Sequence, residues 1–171
     1  MVSVHTHSED SSSRNCGRLN LLLTSGGWRR EPWVESLPAL MKPMGVEAWR
    51  ARTGDEAARL IREIPIHIAV VDLALPLADG AKPETDEGGA RLIQLLGRLQ
   101  TPPPTIVVQR ARTSRDRSRE LAQALNLGVF AVMHRPVNME VLLDTFRRVL
   151  RRHYQDRWPD DAGVSAPPES S

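Results

Sequence analysis

Residues 18–155 predict an α/β domain: a five-stranded parallel sheet in the order 2-1-3-4-5, flanked by five helices. Three observations carry this expectation. Short apolar runs alternate along the chain with stretches of helical spacing, which is the pattern of repeated strand–helix units. One run, His67-Ile68-Ala69-Val70-Val71, is β-branched enough and long enough for a strand buried on both faces, as in a parallel sheet. Asp72 closes that run, so a carboxylate stands at the C-terminal end of a strand, where open α/β sheets place their ligands. The plainer reading is an Asp that caps the following turn.

The elements follow in order. Leu19 to Thr24 is an apolar run and reads as strand one, with Ser25-Gly26-Gly27 as its turn. Glu31 to Lys42 carries Trp33, Val34, Leu37, Leu40 and Met41 near helical spacing. Pro32 suits the first turn of that helix, whereas Pro38 argues against its interior. Gly45 to Ala51 alternates and predicts a strand with one exposed face. Thr53 caps a helix over Asp55 to Ile64, and strand three occupies 67–72. Gly88 to Leu99 has Leu92, Leu95, Leu96 and Leu99 on one stripe and predicts a helix that ends before Pro102-Pro103-Pro104. Strand four is Thr105 to Gln109. Thr113 to Leu127 predicts a helix with Leu121, Ala124 and Leu125 inward, ended by Gly128. Strand five is Val129 to Met133. Asn138 caps a last helix with Val141, Leu142, Thr145, Phe146, Val149 and Leu150 as its apolar set.

The length of 171 residues accommodates one such domain, and a hydrophobic content of 40% is enough for its core. Residues 1–17 are expected to form a disordered leader and 156–171 a disordered tail. No apolar stretch reaches the roughly 20 residues of a membrane span. The polar, Ser-rich start has no apolar centre and is not a secretory signal. Cys16 is the only cysteine, so no internal disulfide forms, and a reduced cytoplasmic setting is expected. The net charge is +2, with only Lys42 and Lys82 as lysines and arginine supplying the rest.

The chain resembles a response-regulator receiver domain of the CheY type over roughly residues 18 to 153. The residues that carry the resemblance are Asp72-Leu-Ala-Leu-Pro76 after strand three, Gly89-Ala-Arg-Leu-Ile93 opening the third helix, the Thr53-Gly-Asp-Glu-Ala57 helix start, Pro104 before strand four and Arg135-Pro136 after strand five. The resemblance implies that Asp72 occupies a phosphoacceptor position and that the Arg135–Pro136 bond is cis. It also implies a magnesium ion at an acidic pair closing strand one, a Thr or Ser closing strand four, and a Lys before the strand-five proline. These groups offset the charge of two anionic reactants.

The supporting positions depart from that pattern. Thr24 and Ser25 stand where the acidic pair belongs, and neutral hydroxyls are poorer magnesium ligands than carboxylates. Gln109 takes the hydroxyl position, where its amide could donate to a phosphoryl oxygen but cannot copy a hydroxyl's small inward shift. The switch aromatic of strand five falls on Val132. Arg135 replaces the lysine and is expected either to clamp a phosphoryl group or to pair with Asp72 itself. The stretch Leu77 to Glu87 is longer than the family's loop. Its Asp79, Asp86 and Glu87 could join Asp72 in a rebuilt metal site, against the plainer reading of a solvated acidic loop. Magnesium is the cofactor the resemblance implies, and its binding is expected to be weakened by these departures.

Arginines concentrate in two places. Arg110, Arg112, Arg115, Arg117 and Arg119 precede and open the helix at 113–127. Arg147, Arg148, Arg151, Arg152 and Arg157 lie on or after the last helix. Arg112, Arg115, Arg119, Arg148 and Arg152 are read as a partner face suited to an acidic protein. The plainer reading is a solvated helix face that Asp116, Glu120, Asp144 and Asp156 partly neutralise. Nucleic acid is not expected, since no base-reading motif accompanies the charge. His5, His7, His67, His134 and His153 show no metal-ligand spacing, and His134 is read as structural. Trp28 and Trp33 either cover the mouth of the site or pack on the sheet.

The expected function is that of a stand-alone receiver-like signalling protein of a two-component phosphorelay, not an enzyme. It would act through a histidine kinase or a downstream effector, with poor or absent phosphorylation of Asp72. The alternatives are a constitutive unphosphorylated adaptor, a nucleic-acid-associated protein using the arginine face, and a flavodoxin-like binder of an anionic ligand.

Overall fold

The computed structural model of the chain describes residues 19–26, 31–80, 87–110, 126 and 128–155. The strands are β1 (Leu19–Thr24), β2 (Val46–Ala51), β3 (Ile68–Asp72), β4 (Thr105–Arg110) and β5 (Ala131–Arg135). They form one sheet in the order β2-β1-β3-β4-β5, and every pairing is parallel. The helices among the described residues are α1 (Pro32–Met41), α2 (Gly54–Glu63), α3 (Glu87–Gly97) and α4 (Met139–Val149). The helix expected over 113–127 lies outside the described residues except at residue 126, and the expected leader and the expected tail lie outside them altogether.

The pleat sorts the apolar residues between the two faces of the sheet. Leu21 and Leu23 of β1, Ile68 and Val70 of β3, and Ile106 and Val108 of β4 join Trp33, Val34, Leu37 and Met41 of α1 and Leu142, Phe146 and Val149 of α4 in one core. The alternate residues Leu22, Ala69, Val71 and Val107 join Ala57 of α2 and Leu92, Ile93 and Leu96 of α3 in the other. A strand with both faces covered needs a continuous apolar run, and all five residues of β3 are buried.

Local chemistry sets the ends of the elements. The Thr53 hydroxyl caps α2 by accepting from the Glu56 N–H at 3.1 Å. Asn138 Oδ1 caps α4 by accepting from the Glu140 and Val141 N–H groups. The Gly54 and Asp55 N–H groups donate to the Pro76 and Leu77 carbonyls, so the segment after β3 satisfies the first turn of α2. Pro38 sits inside α1 without ending it. A 3-10 turn over Lys42–Met44 then leads to Gly45, whose φ of 75° lies in the left-handed region open to glycine. A π-helical turn, Leu150–Tyr154, extends α4.

β5 starts and ends two residues later than its apolar residues suggest. Its register is set by pairing with β4, Ile106 to Ala131 through Arg110 to Arg135, so the polar His134 and Arg135 belong to the strand. The apolar pattern missed them because they lie at the open C-terminal edge of the sheet, where the residues line a site and not the core.

Candidate functional site

The strand order reverses at β1, which pairs with both β2 and β3, and the C-terminal ends of the strands at such a point are where open α/β sheets place their ligands. β1 ends on Thr24, β3 on Asp72 and β5 on Arg135, so these three residues share that edge. Asp72 is only 1% exposed. Its Oδ1 accepts from the Ala74 N–H at 2.9 Å and its Oδ2 from the Gly26 N–H at 2.8 Å. Oδ2 also accepts from Arg135 Nη2 in a charge-assisted bond. Both carboxylate oxygens are therefore engaged.

Thr24 serves the same carboxylate indirectly. Its hydroxyl accepts from the Asp72 backbone N–H at 2.9 Å and donates to the Val70 carbonyl at 3.2 Å. It thereby locks the end of β3 to β1. Gly26 permits the close approach. A Cβ there would stand 2.9 Å from the Ala74 carbonyl oxygen and 3.2 Å from Asp72 Oδ2. On the other side, Gly89 lets α3 pack against β3, since a Cβ at that position would lie 2.4 Å from the Asp72 carbonyl oxygen.

Glu31 is the residue that sequence reasoning missed. It precedes α1 in the N-cap position, yet its side chain makes no capping bond. Its Oε1 lies 2.7 Å from Arg135 Nε, and its Oε2 accepts from the Trp33 indole N–H. A Glu at a position that favours Ser, Thr, Asp or Asn was the available signal that its carboxylate is used elsewhere. Asp72, Arg135, Glu31 and Trp33 form one connected chain. Trp33 thus joins the core with its ring while its N–H holds the edge of the site. Trp28 lies outside the described residues.

Of the other expected site residues, Gln109, Asp79, Arg148 and Arg152 stand apart from this chain. Gln109 Nε2 meets His134 Nε2 at 3.1 Å. By the alternation of the pleat both side chains belong to the face of Val107 and Val132, opposite that of Asp72. Asp79 lines a cleft of about 310 Å³ with Arg52, Thr53, Asp55, Glu56, Arg59 and Ala78 beside the start of α2. The Pro76 and Leu77 carbonyls accept from the Gly54 and Asp55 N–H groups, so the segment that leads to Asp79 runs along the start of α2. Asp86, Arg112, Arg115 and Arg119 lie outside the described residues. Arg148 and Arg152 are exposed on α4 and its extension, next to Arg147 and Arg151, and Arg148 pairs with Asp144 at 2.5 Å.

A magnesium ion, implied by the resemblance, does not fit these donors. It needs oxygen ligands in near-octahedral array, with carboxylates among them. Here Asp72 and Glu31 already share a guanidinium, and the Thr24 hydroxyl is committed to backbone groups. Among the described residues, no three His, Cys, Asp or Glu side chains are grouped to hold a metal ion.

No protein-family model and no curated protein sequence matches the chain. Solved structures do. A CheY-like response regulator receiver domain from Methanospirillum hungatei superposes with a TM-score of 0.62 at 19% identity, covering 82% of this chain and 99% of its own. The chain has the receiver fold. The non-phosphorylated HemR receiver domain of Leptospira biflexa superposes at 0.59 and 20% identity, covering 88% of this chain and 99% of its own. A chemotaxis response regulator of Vibrio cholerae does so at 0.57 and 19%, covering 78% and 99%. The receiver fold places Asp72 at the end of its third strand and a cis Arg135–Pro136 bond after its fifth. No helix among the described residues is long and apolar enough to cross a membrane.

Proposed function

We propose that this receiver-fold protein acts in two-component signalling through protein–protein contact, with Asp72 unphosphorylated. One observation carries the proposal: Asp72 is buried, both of its oxygens accept hydrogen bonds, and Arg135 neutralises it directly. Attack on a phosphoryl group needs an accessible carboxylate oxygen and concentrated positive charge. Here the positive charge at hand is already spent on the carboxylate itself. The Asp72–Arg135 pair then serves as a fixed structural tie, and the protein works as an adaptor in one conformation. No enzymatic activity is proposed, and the cytoplasm is the proposed location.

The partner face is proposed on α4 and the turn after it, where Arg147, Arg148, Arg151 and Arg152 are exposed, as is Val141 in the first turn of α4. Arginine forks favour carboxylates, so an acidic surface of a kinase or effector protein is the matching partner.

Intact mass after incubation with acetyl phosphate and magnesium tests the proposal on the wild type and Asp72→Asn. The expected result is no phosphoryl adduct on either. An adduct on the wild type alone overturns it.

A further inference from the structure

We infer that Arg135 is an oxyanion site held shut by an internal ligand, the Glu31 carboxylate. The inference rests on the reading of Asp72 as an unphosphorylated partner of Arg135. Asp72 and Glu31 lie on either side of one guanidinium, with Arg135 Nη2 on Asp72 Oδ2 and Arg135 Nε 2.7 Å from Glu31 Oε1. Arg135 is 20% exposed and Glu31 19%, so the contact sits at the mouth of the site while Asp72 lies beneath it. Among the described residues, the partly exposed side of the Asp72–Arg135 pair is the one that Glu31 occupies.

The two contacts of the guanidinium differ in quality. Nη2 makes a hydrogen bond to Asp72. Nε is buried and close to Glu31, yet its N–H finds no aligned acceptor. A buried donor without an aligned acceptor is costly, and a tetrahedral oxyanion presents acceptors in more directions than a carboxylate tethered to the backbone. Glu31 is thus a serviceable but imperfect ligand for Arg135. Its other oxygen is tied to the Trp33 indole, and Trp33 is fixed in the core, so the carboxylate is held in place from behind.

Charge decides what is excluded. With both acids ionised, the trio of Asp72, Arg135 and Glu31 carries a net charge of −1, written as two carboxylates and one guanidinium. At short range in a poorly solvated site that repels an incoming dianion. Removing the charge of Glu31 makes the trio neutral and exposes the Nε side of the fork. The ligand class that then fits is a small dianionic oxyanion, sulfate or a phosphoryl group. Glu31 is accordingly a positioning and gating residue, placed by the start of α1 to keep such anions off the acceptor edge.

The test is a sulfate titration at constant ionic strength, followed by nitrogen–proton correlation NMR at the Gly26 amide and the Arg135 Nε–H. Wild type, Glu31→Gln and Glu31→Gln/Arg135→Gln are compared. The expected result is a saturable shift in Glu31→Gln with an affinity at least roughly tenfold above that of the wild type, lost in the double variant. Equal affinity in wild type and Glu31→Gln overturns the inference, as does binding that survives loss of Arg135. Should Glu31→Gln fail to fold, Trp33→Phe cuts the second anchor of the carboxylate and is expected to raise sulfate affinity over wild type, and no rise overturns the inference. A phosphoryl adduct on wild-type Asp72 together with a sulfate response confined to Glu31→Gln sinks the reading of Asp72 and keeps the gate. No adduct together with unchanged sulfate binding sinks the gate alone.

Discussion

The Thr24 hydroxyl and the Asp72 backbone are joined at 2.9 Å, with the Asp72 N–H as donor, and the same hydroxyl donates to the Val70 carbonyl. The Thr24 side chain is thereby used as a clasp between the ends of β1 and β3. The consequence is mechanical. The strand end that presents Asp72 is held by a side chain, by the Gly26 amide and by Arg135 at once.

Thr24→Val keeps the shape and removes the clasp. It leaves the Asp72 N–H without its side-chain acceptor in a buried setting, which costs about 2 kcal/mol. Urea unfolding is expected to show a lower midpoint with an unchanged slope, while Thr24→Ser is expected to retain most of the stability.

Arg135→Met leaves a buried carboxylate without its cation and is expected to cost about 3 kcal/mol. Asp72→Asn in the Arg135→Met background removes the stranded charge and is expected to recover part of that loss. A double-mutant cycle on denaturation measures the coupling, which is expected to be at least about 1 kcal/mol. Additive effects would show that the pair is not a structural tie.

Gly26→Ala places a Cβ 2.9 Å from a backbone carbonyl oxygen, which cannot turn away as a side chain can. The expected loss is about 2 kcal/mol. Gly89→Ala is expected to cost more, since its Cβ would meet the Asp72 carbonyl at 2.4 Å and push α3 off the sheet. Thermal unfolding of the two variants checks the order.

The turn after α4 makes stability depend on pH at both ends of the scale. Burial pushes the Tyr154 hydroxyl up to about 12 from its ordinary 10.0. Its folded-state value is raised, so its contribution is full below pH 10 and is lost as pH rises toward 12. His153 is lowered from 6.5, by burial first and by Arg152 second. The stability this leaves at neutral pH is lost as pH falls below 6.5. Tyr154→Phe is expected to flatten the alkaline limb of a stability profile and His153→Gln the acidic one. Tyr154→Phe also removes the 2.5 Å bond to the His67 carbonyl, at about 1 kcal/mol.

The scaffold was legible in the sequence because its signals are local. The apolar runs of β1, β3 and β4, the caps Thr53 and Asn138, and the stripe of α3 each follow from a few neighbouring residues, and they set the element order. Asp72 at a strand end and Arg135 before a proline were legible for the same reason. Gln109 was placed at the right strand end, but its partner was not foreseen, because which face a side chain takes depends on the register of two strands and not on one. The acidity of the loop that holds Asp79 was visible in the sequence, whereas its placement beside the start of α2 depends on the Pro76 and Leu77 carbonyls that accept from the first turn of that helix.

The sequence by itself determined a parallel sheet with two covered faces and a carboxylate at its C-terminal edge, through apolar periodicity and capping chemistry that act over a few residues. Only the tertiary structure decided what that carboxylate meets. Glu31 lies 41 residues before Asp72 and Arg135 lies 63 after it, and no local pattern couples them. They come together because β1, β3 and β5 run parallel and end at one edge, where α1 begins. Electrostatic pairing across that edge depends on distances that the whole fold sets, not on the order of residues along the chain.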